Sequence, residues 1–383
     1  MKCPGRRLFD VLRSGACLGL LLSPAGFASE ADQAGRVLVG ANYFAGWWEA
    51  LPNKWHGHGW HADEPDWRGQ HPERDPLLGA FNDQATMDRE IAAAAEHGVD
   101  FFSILWYFPA PGTKHEADAI RLNRGLTNFL ASPNAPRLRF MVEYCNHPSF
   151  SAASDEEWAA CLKVWGEALR HPSSLRIGER LVFKVHDAHQ FWLVNGKDID
   201  RCRARLDALR KTAREAGLGE MLIGGGIVNG TKVTAASFLP KVFDFTATYM
   251  GIPPVEVREA EHPYRLLAAE ARAMRPAHAA DPIPWVPYLA AGWNPRPWTH
   301  PQADPNHRRF FQFPDRGEWI EELRAVREDF AKMPWLGLPL PDGRRQPVVT
   351  IYAWNEFGEG GILAPTRAEG ARKLEAIREV FGR

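Results

Sequence analysis

The chain has 383 residues with 46 Lys and Arg against 47 Asp and Glu, so it lacks the basic excess that nucleic acid or an anionic membrane surface demands. A hydrophobic content of 45% with 24% charged residues is that of a globular protein with a sizeable core. This length allows two domains, although α/β barrels of about 250 residues or more form one.

The first 28 residues read as an export signal. Lys2, Arg6 and Arg7 form a basic region, Ala16 to Leu22 a short apolar run, and Gly26-Phe27-Ala28 a small-residue cleavage site, with a mature start near Ser29 or Glu30. The apolar run is too short to span a bilayer, and no lipoprotein Cys stands at the cleavage point. The expectation is a secreted or periplasmic protein with no membrane insertion after signal removal. Of the five Cys, Cys3 and Cys17 leave with that segment. Cys145, Cys161 and Cys202 remain, enough for one disulfide, and Cys161 and Cys202, both on predicted helices, could pair.

From there the chain alternates strand-like and helical runs. The expected strands are Val37–Phe44, Val99–Tyr107, Leu138–Cys145, Leu181–His186, Met221–Ile227, Phe243–Met250, Ile283–Leu289 and Val348–Ala353, rich in β-branched and aromatic residues. Amphipathic helices are expected at Asp83–His97, Asp155–Arg170, Ile199–Ala216, Glu256–Met274, Glu318–Lys332 and Arg367–Phe381. Gly98 and Gly217 stand where left-handed helix caps belong, and Asp155-Glu156-Glu157 supplies an acidic first turn. Eight strands alternating with helices predict a single (β/α)8 barrel over residues 29–383, with a doubly wound open sheet as the alternative. No Gly-x-Gly-x-x-Gly joins a first strand to a helix, so nucleotide binding has no support, and Gly224-Gly225-Gly226 reads equally well as close packing. Long insertions at Trp47–Phe81 and Ala290–Arg316 follow strands one and seven, which places them at the C-terminal mouth.

The last strand runs into Trp354-Asn355-Glu356-Phe357-Gly358-Glu359-Gly360. Two carboxylates three residues apart at a strand end, flanked by Gly, are poorly explained by packing. Cleavage of a glycosidic bond needs such a pair, one group to give a proton and one to assist from another side. Gly358 and Gly360 would let the backbone approach a ligand. Fifteen Trp, many in polar Gly, Pro or Asn contexts, suit a large core and stacking on sugar faces equally.

The strand-eight motif resembles the signature of glycoside hydrolase family 99 and the related WbsX-like group, endo-acting α-mannosidases and relatives on a (β/α)8 barrel. Trp106-Tyr107-Phe108-Pro109-Ala110-Pro111-Gly112, Met141-Val142-Glu143-Tyr144, Thr248-Tyr249-Met250 and Gly292-Trp293-Asn294-Pro295-Arg296 resemble further segments of that family in the same order. The resemblance spans most of the mature chain, but only the strand-eight motif is specific. It implies that Glu356 is the base on the sugar 2-hydroxyl, giving a 1,2-anhydro intermediate and retention, and that Glu359 is the acid/base at the glycosidic oxygen. It implies sugar contacts for Glu143, for which a barrel-interior ion pair is the alternative. Trp106, Tyr107, Tyr249, Trp293, Asn294, Trp354 and Asn355 are subsite candidates, as is His186-Asp187 at the end of strand four, where an Asp-oriented His also suits acid/base work. Lys184 reads as a barrel-interior ion-pair partner. Phe357 and Gly358 depart from the family, where Trp and, in the mannosidases, His are usual; this leaves the carboxylate pair intact and the sugar unnamed.

The loop His56-Gly57-His58-Gly59-Trp60-His61 with Asp63 and Glu64 offers imidazoles at a spacing zinc accepts, yet no regular element aims them. It reads as a polar, aromatic rim. No metal is assigned there and no cofactor is expected. The implied partner is a poly- or oligosaccharide. A non-catalytic carbohydrate-binding barrel is the alternative, ahead of a glycosyltransferase, which the export signal disfavours, and a metal-dependent hydrolase. The familiar cellulase-type barrel places its two Glu after strands four and seven, unlike this chain.

Overall fold

The predicted strands are mostly apolar on both faces, which suits a parallel sheet covered by helices on one side and filled with side chains on the other. The computed structural model describes residues 35–56, 65–227, 236–299 and 303–382. The strands are β1 (Leu38–Tyr43), β2 (Phe101–Trp106), β3 (Arg139–Tyr144), β4 (Arg180–Val185), β5 (Met221–Ile227) and β6 (Phe245–Thr248). A broken seventh strand, β7 (Trp285–Val286 and Tyr288–Ala290), and β8 (Val348–Tyr352) complete the set. All pair in parallel, in chain order, from β1 through to β7, and β8 lies between β1 and β7.

Closure depends on Pro287. The first half of β7 pairs with β6 (Thr246 opposite Trp285), and the second half pairs with β8 (Thr350 opposite Tyr288). Pro287 has no N–H for the ladder, but its carbonyl accepts from Thr350 N at 3.0 Å, so the ring closes across the break. The eight-strand expectation therefore holds, and the sheet is a barrel rather than an open doubly wound sheet.

The surrounding helices include α1 (Gln84–Glu96), α2 (Glu116–Leu122), α3 (Arg124–Ala131), α4 (Asp155–Ala168), α5 (Ala188–Val194) and α6 (Ile199–Glu215). They continue with α7 (Leu239–Val242), α8 (Tyr264–Ala277), α9 (Arg316–Lys332) and α10 (Arg372–Phe381). Local caps set several starts: Asp83 accepts from Thr86 N at 2.7 Å, and Ser154 and Glu157 form a capping box. Gly98 and Gly217 adopt φ of 85° and 71°, as expected of left-handed caps. The sequence reading omits α2, α3, α5 and α7, and it starts the helix before β7 too early. Pro253, Pro254 and Pro263 keep the chain extended until Tyr264. Cys161 and Cys202 are buried free thiols, as is Cys145.

Among the described residues no helix is long and apolar enough to cross a membrane. The export segment, His58, His61, Asp63 and Glu64 lie outside the described residues. His56 lies within them, and its Nδ1 is 2.6 Å from Asn53 Oδ1.

Candidate active site

Immediately past β8 the chain forms a tight hairpin, Asn355–Glu356 against Gly361–Ile362, which presents both carboxylates at the barrel mouth. The backbone of this hairpin is held from several directions. Asn355 Oδ1 accepts from Phe44 N at 2.9 Å, and Asn355 O accepts from Trp47 Nε1 at 2.8 Å. The guanidinium of Arg74, almost fully buried, donates to Phe357 O at 3.0 Å, and Asn294 N donates to Glu359 O at 2.6 Å. Gly358 is required by a close approach, since a Cβ there would lie 2.1 Å from the Trp298 indole. Gly360 sits at φ 86° with a Cβ position 2.7 Å from Asn294 N. The sequence reading assigns both glycines to closeness with a ligand; what they admit is protein.

The mouth encloses a cavity of about 470 Å³. Phe44, Leu105, Tyr107, Cys145, His147, His186, Tyr249, Glu356 and Glu359 reach it from strand ends, and Lys54, Trp298, Ala303, Asp304 and His307 from the two long loops. Volume and lining suit a ligand of one or a few sugar rings.

The two carboxylates experience opposite fields. Burial and the neighbouring Glu359 charge push Glu356 well above the usual carboxylate range, against the pull of Lys54 and a 3.4 Å contact from Tyr249 Oη. Burial also acts against Glu359, but hydrogen bonds from His307 and from the Tyr352 hydroxyl outweigh it and hold that carboxyl below its usual value. His307 Nε2 lies 3.7 Å from Glu359 Oε1, and the imidazole is in turn raised by that contact. The shared proton is thus favoured on Glu356 over Glu359. This is the reverse of the order that the implied roles of base for Glu356 and acid for Glu359 would give. Burial lowers Lys54 to about 7, with both glutamates opposing the shift.

Of the remaining sequence candidates, Tyr107, His186 and Tyr249 line the cavity. Glu143 does not. It is completely buried inside the barrel, where its carboxylate accepts from Lys184 Nζ at 2.7 Å, His186 Nδ1 at 2.7 Å, Asn42 Nδ2 at 3.0 Å and Ser103 Oγ at 2.5 Å. Burial disfavours its charge, but Lys184 and His186 more than compensate and hold it at about 2. The structure places Glu143 in an interior ion pair with Lys184. Asp187 caps α5 by accepting from Gln190 N at 2.9 Å; His186 is oriented by Glu143 instead. Trp106 packs in the core against Tyr144 and Trp165, and Trp354 against Phe102. Trp293 stacks on His307 and donates to Asn306 O, so it backs a cavity residue without lining the space. Asn294 and Asn355 are buried among protein partners: Asn294 Nδ2 donates to Glu261 Oε1 at 2.8 Å, and Asn355 Oδ1 accepts from Phe44 N.

Phe44, Lys54, Cys145, His147, Trp298 and His307 also line the cavity and were not among the residues expected there. Lys54, Trp298 and His307 lie in the insertions flagged as mouth-forming, which was the available signal. Most of the Trp excess goes to packing. Trp47, Trp55, Trp165, Trp285, Trp319 and Trp354 are fully buried, and Trp47 packs at 4.1 Å from Trp55 and 5.7 Å from Trp298 beneath the hairpin.

Neither a family model nor a curated protein sequence matches this chain. Solved structures do match. One described as a glycoside hydrolase-like protein superposes with a TM-score of 0.58 at 14% identity, over 90% of this chain and 94% of that one. The family 99 endo-α-mannosidase from Bacteroides thetaiotaomicron gives 0.55 at 14% identity, over 90% and 95%. The chain therefore has the (β/α)8 architecture of these proteins along nearly its whole described length, which agrees with the resemblance carried by the strand-eight motif.

Proposed function

We propose that this protein is a glycoside hydrolase acting on a poly- or oligosaccharide, with Glu356 and Glu359 as its catalytic pair. The observation that carries this reading is the placement of two carboxylates three residues apart, on one hairpin, in one cavity, where their surroundings push Glu356 up and Glu359 down. Glycosidic cleavage needs that division: a proton goes to the leaving oxygen as the C1–O bond breaks, while a carboxylate assists at the sugar. Tyr107, Tyr249, Trp298 and His186 supply the ring faces and hydrogen-bond partners for a sugar.

The resemblance supports retention through a 1,2-anhydro sugar, with Glu359 at the glycosidic oxygen. The field of the free cavity favours Glu356 as the proton holder. Leaving-group dependence separates these assignments, because a good leaving group needs no proton. Whichever of Glu356→Gln and Glu359→Gln keeps appreciable activity on an activated aryl glycoside, while losing it on a natural linkage, has lost the acid.

The test of the function itself is a screen of purified protein against α-mannans, α-glucans and bacterial exopolysaccharides, with product analysis and the anomer followed by NMR. Hydrolysis to the retained anomer supports the proposal. A native protein that binds glycans tightly and cleaves none is the binding barrel instead. The basic and apolar segments before Ser29 support action outside the cytoplasm; cell fractionation that finds the chain only in the cytoplasm contradicts that part.

A further inference from the structure

We infer a second chemistry in the same cavity: Cys145, His147 and His186 form a site for a thiophilic divalent ion of the zinc class. The Cys145 sulfur and one ring nitrogen from each histidine lie within 4.8 Å of one another, close enough for small side-chain rotations to bring all three onto one ion. One soft sulfur with two imidazoles is a donor set that zinc, cobalt and copper prefer over hard cations. The ligands come from two adjacent strand ends, Cys145 and His147 after β3 and His186 after β4, so the barrel itself fixes their spacing. The two imidazoles meet edge to face with centroids 5.2 Å apart.

An independent observation points to a ligand. His186 Nδ1 is tied to Glu143 Oε1 at 2.7 Å, deep in the barrel, and Lys184 holds that carboxylate ionised. Nδ1 is thus the donor, and the lone pair falls on Nε2, the other edge of a ring that lines the cavity. A carboxylate behind a histidine in this way is the outer-shell arrangement that orients metal-binding imidazoles. His147 is exposed to the cavity and Cys145 lines it, so an ion can enter and a fourth position faces the open space. These residues are distinct from the His56 loop singled out in the sequence.

Metal binding is measured without reference to catalysis. Cobalt(II) is titrated into the untagged full-length protein under reducing conditions, and the expected result is one equivalent with a sulfur-to-cobalt charge-transfer band in the near ultraviolet. Zinc should then displace the cobalt. Cys145→Ser should abolish the band, and His147→Ala should weaken cobalt binding at least tenfold. Circular dichroism checks the fold of each variant. If Cys145→Ser fails to fold, His147→Ala, an exposed ring, decides alone. Absence of a sulfur band, or a band that survives Cys145→Ser, overturns the site, as does unchanged affinity in His147→Ala. If the proposed function also holds, a bound ion fills space a sugar needs, and zinc inhibits hydrolysis reversibly; zinc binding without inhibition refutes only this consequence, and an inactive protein that binds the metal leaves the site standing.

Discussion

Two clusters of glutamate with basic partners share the inside of this barrel, and they are in opposite electrostatic regimes. In the interior, Glu143 is met by Lys184, His186, Asn42 and Ser103, and its carboxyl stays ionised at about 2 despite complete burial. At the mouth, Glu356 and Glu359 crowd each other beside Lys54, and there Glu356 rises well above its usual range while Lys54 falls to about 7. Burial is common to both. What differs is the hydrogen-bond inventory: the interior carboxylate is fully satisfied, whereas among the described residues Glu356 has one long contact, from Tyr249. A saturated carboxylate serves as a structural strut, and an under-satisfied one beside a second carboxylate is free to exchange a proton.

The sharpest way to break this comparison is at the mouth. Glu356→Gln and Glu359→Gln should each cut kcat on a natural glycan by about a thousandfold or more while leaving the melting temperature near native. Retention of native turnover by both variants, measured at substrate saturation, would remove the catalytic pair from the account. In the interior the effect should move from rate to stability. Glu143→Gln leaves the Lys184 ammonium buried without its counter-ion and should cost about 3–5 kcal/mol in denaturant unfolding. Its pH dependence has a definite sign. Glu143 is held at about 2 from an ordinary 4.5, so its contribution is complete above the higher value and is lost as pH falls towards the lower. The native protein should therefore lose more stability than Glu143→Gln between pH 4.5 and pH 2; equal losses would show that Glu143 is not the titrating strut.

Smaller effects refine the pair. His307 and Tyr352 keep Glu359 ionised, so activity that depends on that charge should persist below the ordinary Glu range. His307→Gln should move the acid limb of the kcat/KM profile upward, and an unmoved limb would assign the ionised state to other causes. Lys54→Met removes a cation that favours both glutamate charges, so it should shift the alkaline limb, set by loss of the Glu356 proton, to higher pH by a smaller amount. A shift to lower pH would contradict the placement of Lys54 beside the pair.

The barrel was legible because its strands are buried on both faces and read as continuous β-branched and aromatic runs; β8, Val348–Tyr352, is one example. The short helices α2, α3 and α5 were not, since 7 or 8 residues are too few to show a helical period and packing against the barrel decides them. The hairpin carboxylates were visible as a local motif, as was their position after the last strand. Their partners were invisible for a different reason. Lys54 is about 300 residues away from Glu356 in sequence, and only barrel closure between β1 and β8 brings the two ends together. Glu143 shows the opposite failure, because a carboxylate at the end of a barrel strand looks the same in sequence whether it faces the ligand or an interior lysine. The Trp excess misleads similarly; Trp298 lines the cavity, whereas Trp106 and Trp354 pack in the core.

The most direct test of the central claim is a carboxyl carbon-13 NMR titration of glutamate-labelled protein, with Glu356→Gln and Glu359→Gln spectra to assign the two signals. Glu356 is expected to titrate well above the ordinary Glu range and Glu359 below it, and Glu359→Gln should lower the Glu356 titration by removing the neighbouring charge. Two carboxyls that both ionise in the ordinary range near pH 4.5, unaffected by each other's removal, would contradict it.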